Sequence, residues 1–265
     1  MIKNEKNISS GKVAIIIFRI ISIIIIAVCL VVLYDWHLNN TANGDIINEL
    51  GEFATLKEKN PDINAEESTN ANEGNQELEL AVDFETLKAK NADTVAWIKV
   101  NNTNIDFPIV KDPDNSYYLK HNFNKESNGA GWIFADYRNN FDELDKNTII
   151  YGHNRRNGTM FSNLEYLMKN TWSFENENKI FYFSTETQNY EAEIFSVYMI
   201  KATKLTIPNV FTDNSEFQNY ITSLKELSIH DFNVEISDDD NIITLCTCDS
   251  TSQNRIVVHA KLINK

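Results

Sequence analysis

From Val13 to Leu33 the chain reads VAIIIFRIISIIIIAVCLVVL, 21 positions broken only by Arg19 and Ser22. At about 1.5 Å per residue, a helix of that length crosses roughly 30 Å of hydrocarbon. The pattern then changes. Ile46, Ile47, Leu50, Phe53 and Ala54 recur at helical spacing and predict a short amphipathic helix. Residues 60–76 (NPDINAEESTNANEGNQ) hold almost nothing to bury and predict a flexible acidic tether. DFETLKAK at 83–90 predicts a short helix with Asp83 as its N-cap. Beyond it, strand-like runs at 95–100, 105–110, 131–134, 148–151, 179–183, 190–200, 241–247 and 255–263 alternate with turn signals such as Asn101-Asn102. One helix interrupts them at about 213–228. Phe217, Tyr220, Ile221, Leu224 and Leu227 give its buried stripe, and Asp213 with Glu216 resembles a capping box. Many short strands and few helices predict a mainly β fold, a closed or nearly closed barrel, because closure removes exposed edges.

Charge fixes the orientation of this plan. Lys3, Lys6, Lys12 and Arg19 outweigh Glu5 and Asp35 within 1–35, whereas the whole chain of 265 residues carries −14. Basic residues before the apolar run put the N-terminus (1–12) in the cytoplasm, with 13–33 as a transmembrane signal anchor and the rest outside. Arg19 lies close enough to one end to snorkel. The run is too long for a cleaved signal, and Leu33-Tyr34-Asp35-Trp36 offers no small-residue cleavage site. Residues 34–80 then form an extracellular tether with a short helix, and 81–265 one folded domain. So acidic a body repels phosphate backbones, so no nucleic-acid partner is expected.

The chemistry must come from few residues. The three cysteines are Cys29 in the apolar run, Cys246 and Cys248. The last two are too close for an unstrained disulfide in extended chain, and no further ligands at metal spacing accompany them. Cys248 ends a β-branched run and opens into the polar stretch Asp249–Asn254, after which Arg255 starts the next strand. A hairpin there returns a permanent cation beside the thiol. Two histidines compete for proton transfer: His153, leaving a strand after Gly152, and His259, sharing an alternate face with Arg255, Val257 and Lys261. Residue chemistry alone leaves both open. His37, His121 and His230 read as juxtamembrane, boundary and loop residues, and Asp249 as a surface carboxylate.

Three motifs, in order, resemble one family. Thr244-Leu245-Cys246-Thr247-Cys248 is similar to the T-L-x-T-C signature of sortases, with Cys246 where Ser is common. Arg255-Ile256-Val257-Val258 resembles the arginine-led strand that follows it, across a rather short loop. Asn147-Thr148-Ile149-Ile150-Tyr151-Gly152-His153 resembles the histidine strand in its class B form, and the likeness extends from about Asp83 to the C-terminus. The resemblance implies a barrel of about eight strands with N-terminal helices and one inserted helix. It implies a membrane-anchored cysteine transpeptidase without metal or cofactor, with Cys248 as nucleophile, His153 as proton donor and base, and Arg255 holding substrate backbone or oxyanion. Asn115, Leu119 and Tyr151 match groove-lining positions. The implied partners are surface proteins with an N-P-x-T-x-like sorting signal and an amine from a peptidoglycan cross-bridge or lipid II. A pilin polymerase using a Lys amine and a non-enzymatic tethered adhesin are the alternatives.

Overall fold

The computed structural model describes residues 10–58, 78–169, 176–247 and 253–265. The chain divides into two compact units, Met1–Gly44 and Asp45–Lys265. Helix α1 runs Ser10–Leu50 and is long and apolar enough to cross a membrane. The hydroxyl of Ser22, the polar interruption besides Arg19, donates to the Phe18 carbonyl one turn back, so it needs no outside partner.

The amphipathic segment expected around 46–54 is the end of α1 rather than a separate helix, with Ile46 and Leu50 buried. A 3-10 turn at Gly51–Phe53 then breaks into strand β1, Ala54–Glu58. β1 pairs antiparallel with β2, Leu78–Val82, from Ala54↔Val82 to Glu58↔Leu78. β1 and the first part of β2 therefore lie within the stretch assigned to the tether, and the boundary expected at 81 falls inside β2. Each strand is five residues long with few fully buried positions, too weak an alternation to announce itself. Most of the expected acidic tether falls at 59–77, outside the described residues.

Helix α2 is Phe84–Lys90, with the Asp83 carboxylate accepting from the Thr86 amide at 3.0 Å as an N-cap. Then come β3 (Thr94–Val100), β4 (Asp106–Val110), β5 (Phe134–Ala135), β6 (Asn147–Gly152), β7 (Ile180–Thr185), β8 (Asn189–Lys201), helix α3 (Asn214–Leu227), β9 (Ile242–Thr247) and β10 (Asn254–Asn264). These eight strands close into a barrel in the order β10-β8-β7-β3-β4-β5-β6-β9, with β9 pairing back to β10. The closed barrel of about eight strands and the inserted helix expected from the pattern are both present. The strand expected at 131–134 shrinks to β5, because Gly131 adopts a positive φ and cannot continue an extended ladder.

Large aromatics fill the core, among them Trp97, Phe107, Phe123, Trp132, Phe181 and Phe183. Phe107 meets Trp132 edge to face at 5.8 Å. Both indoles find acceptors, Trp97 on Asp106 and Trp132 on the Pro108 carbonyl, so burying them strands no donor. Helix α3 starts at Asp213, which accepts from the Glu216 amide, while Glu216 reaches back to the Thr212 amide rather than to Asp213 itself. The helix lays Phe217, Ile221 and Leu224 against the barrel wall, and the Ser196 hydroxyl of β8 donates to the Leu224 carbonyl.

Candidate active site

Three strand ends meet at one rim. β6 and β9 are parallel neighbours, paired from Asn147↔Ile242 to Gly152↔Thr247. On the other side of β9, the Ile256 amide of β10 donates to Thr247 Oγ1 at 3.0 Å. His153 follows Gly152, Arg255 precedes Ile256, and Thr247 is the residue before Cys248 in the chain. Cys248 itself, with Asp249, lies outside the described residues.

Two glycines make room for the imidazole. Gly131 has φ +60°, and a Cβ there would stand 2.6 Å from the Tyr118 carbonyl and 2.8 Å from His153 Cδ2. Gly152 is wedged against Ile133 and Phe161, where a Cβ would come within 2.5 and 2.7 Å. His153 is half-buried, and its Nε2 lies 2.8 Å from the Leu119 carbonyl. A carbonyl only accepts, so Nε2 carries the proton in this pose. Leu119 thus touches the site through its backbone. Arg255 is half-buried, opposite Ile200 of β8, and donates from Nη1 to the Asn254 carbonyl at 3.0 Å.

His259 belongs elsewhere. It is fully buried, in a run from Ile256 to Ala260 that is buried on both faces, so alternation cannot separate core from surface there. Its partners define its state. Thr244 donates to Asn147 Oδ1 at 2.8 Å and so accepts from His259 Nδ1–H at 2.8 Å, which leaves Nε2 to accept from the Tyr198 hydroxyl at 3.1 Å. Burial drives its pKa down to about 3, so the ring stays neutral. Tyr220 of α3 stands edge-on to it at 6.2 Å, and burial first, then the neighbouring Cys246 among other charges, raises the Tyr198 and Tyr220 phenols. Cys246 is 1 % exposed beside this cluster. Of the other histidines, His121 stacks on Tyr117 at 3.9 Å, and His230 is buried on the Leu167 carbonyl.

Asn115 and Tyr151 converge on a residue that sequence reasoning passed over. Asp136, fully buried, accepts from Asn115 Nδ2 at 3.0 Å and from the Tyr151 hydroxyl at 2.9 Å. It also takes Arg138 Nε and Nη2, both at 2.8 Å, as a bidentate pair. Burial pushes this carboxylate up, but the Arg138 and Tyr151 hydrogen bonds together pull harder and hold it below the usual carboxylate range. Arg138 then reaches the Ile207 carbonyl at 3.2 Å, tying the β8–α3 connection to the same point. The only trace in the sequence was an Asp and an Arg two apart after a short apolar strand.

A closed eight-stranded barrel with a helix inserted before β9, and the ends of β6, β9 and β10 meeting at one rim beside His153 and Arg255, is a frame suited to a thiol acyl-transfer enzyme. Comparison with known proteins agrees. The sortase domain profile matches residues 98–263. Sortase B of Listeria monocytogenes is 40 % identical over 191 residues, covering 71 % of this chain and 76 % of that protein. The Staphylococcus aureus sortase B–substrate complex superposes with a TM-score of 0.65 at 35 % identity, over 68 % of this chain and 84 % of that one. A Bacillus anthracis protein similar to sortase B gives a TM-score of 0.71 at 30 % identity, over 87 % and 98 % of the two chains. The chain belongs to the sortase family, in its class B branch, and is a cysteine transpeptidase of the kind that anchors surface proteins. That sets aside the non-enzymatic adhesin.

Proposed function

We propose that Cys248 is the nucleophile, His153 the proton carrier and Arg255 the anion-holding cation of a membrane-anchored transpeptidase. The observation that carries this reading is the pairing of Thr247 with Gly152 on one side and with Ile256 on the other. It sets the chain positions on either side of the seam within a few ångströms, although they lie about a hundred residues apart in sequence. The Cys248 thiolate attacks the carbonyl carbon of a Thr in an N-P-x-T-x-like sorting signal. The peptide C–N bond breaks, His153 as imidazolium gives its proton to the departing amine, and a thioester remains. An acceptor amine from a peptidoglycan cross-bridge or lipid II then attacks, returns a proton to His153 and releases the thiolate. With Nε2–H directed to the Leu119 carbonyl, the exchanged proton travels on Nδ1. Arg255 does not titrate near neutral pH, so it acts by holding the oxyanion or the substrate backbone. Asn115, Leu119 and Tyr151 line the groove for the signal. Residues 13–33 anchor the protein with its N-terminus in the cytoplasm and the catalytic unit outside.

The test is mass spectrometry of the protein with a sorting-signal peptide and an amine. Cys248→Ala should abolish cleavage and the thioacyl adduct, while Cys246→Ser keeps substantial activity. The reverse pattern moves the nucleophile to Cys246 and ends this assignment.

A further inference from the structure

His153 forms part of the wall of an open cavity of about 710 Å³, shared with Arg155, Arg156, Ser162, Glu165 and Tyr166. That is room for a segment of several residues. A second, more apolar cavity of about 430 Å³ holds Thr247, Ile256, Met168 and Met199, and the two share Asn154 and Glu165 as a common wall. The larger space therefore touches the imidazole directly and reaches the end of β9 through the smaller one.

Its charge runs against that of the molecule. The whole chain carries −14 and has only five arginines, yet two of them line this one cavity. Arg156 is exposed and makes no ion pair among the described residues, while Arg155 is half-buried. The carboxylate in the same lining, Glu165, accepts from Asn154 Nδ2 at 2.8 Å. Ser162 is 8 % exposed, and its hydroxyl has no partner among the described residues. A buried hydroxyl left unmatched costs free energy until a polar group meets it.

An acyl acceptor must give up a proton as its nitrogen joins the thioester carbonyl, so it has to arrive along a wall that includes the base. Resting on the proposed role of His153, we infer that this cavity is the acceptor subsite. It selects an amine that also carries an anionic group, a carboxylate or a phosphate, held by Arg155 and Arg156. In the transfer the amine nitrogen–carbonyl bond forms, the carbon–sulfur bond breaks, and the proton passes from nitrogen to His153.

The experiment uses the full chain in detergent micelles and four amines: trialanine, trialanine amide, phosphoethanolamine and ethanolamine. Binding is followed by NMR titration, and transfer against hydrolysis by product analysis with a sorting-signal peptide. Arg156→Glu, a surface change, should weaken an amine that carries an anionic group about fivefold to tenfold in both readouts and should not weaken its counterpart lacking that group. Arg156→Lys should restore most of the loss. If trialanine shows the larger effect, the anion is a peptide carboxylate; if phosphoethanolamine does, it is a phosphate. Equal binding by wild type of amines with and without the anionic group, or equal losses for both in Arg156→Glu, overturns the inference. Selective binding without any thioacyl adduct would instead refute the catalytic reading and leave the anion subsite standing.

Discussion

The Asp136 clasp gives the sharpest test of how the groove is held. Asp136→Asn keeps the shape of the side chain but turns one oxygen into a donor. That atom then faces the groups now served by Oδ2, namely Arg138 Nη2, Asn115 Nδ2 and the Tyr151 hydroxyl. A buried hydrogen bond to a charged group contributes about 1.5–3 kcal/mol, but Arg138 keeps 37 % of its side chain exposed and recovers water when the carboxylate goes. Asn115 and the phenol have less access to solvent, and the phenol can turn to accept. The net loss should be about 2–4 kcal/mol, a fall in Tm of roughly 5–15 °C for a domain of this size. Because the folded pKa of Asp136 is depressed, its contribution is present above the ordinary carboxylate pKa of about 3.9 and lost as pH falls through the lower folded value. The gap between wild type and variant should therefore hold at neutral pH and narrow only below about pH 4. Circular dichroism melts across that range measure it. In kinetics, the proposed groove-lining role of Asn115 and Tyr151 requires KM for the sorting peptide to rise more than kcat falls. A variant that melts with wild type and keeps its KM would show that Arg138 and the loops hold Asn115 and Tyr151 without the carboxylate.

Gly131→Ala should lower kcat strongly, because its Cβ meets His153 Cδ2 and the Tyr118 carbonyl; peptide turnover checks this, and retained activity would mean the 118–119 segment yields freely. His259 titrates near 3 when folded against an ordinary 6.5, so the unfolded chain takes the proton first and stability falls as pH drops from about 6.5 to about 3. His259→Gln should flatten that slope in urea melts run at several pH values. Arg255→Lys keeps the charge but loses the planar fork, and should lose roughly 10²–10³ in turnover while the fold survives. Transfer at the wild-type rate would make Arg255 a strand-start charge and no more.

The barrel was legible because its strands are framed by turn residues and its inserted helix carries both a cap and a clean stripe from Phe217 to Leu224. The strands β1 and β2 were not, since five residues with little burial look like any polar linker. His259 stayed open as a rival to His153 for the opposite reason. α3 packs on the neighbouring β8 and brings Tyr220 edge-on to His259, and Ile256–Ala260 are buried on both faces, so period two loses its meaning there. Asp136 was nearly invisible because Asn115 and Tyr151 lie 21 and 15 residues away, and only the pairing of β5 with β4 and β6 gathers them around it.

Strand order has a consequence for how the molecule comes together. Take away β9 and β10, and the remaining strands run β8-β7-β3-β4-β5-β6, an open sheet with β8 and β6 at its margins. β8, at 13 residues, would then present a long row of unpaired amides and carbonyls to any neighbour. The pairing of β9 and β10 thus closes the barrel and also covers the edges that would otherwise invite self-association. A lesion in either strand would be felt first as aggregation during folding, ahead of any fall in the stability of the finished barrel.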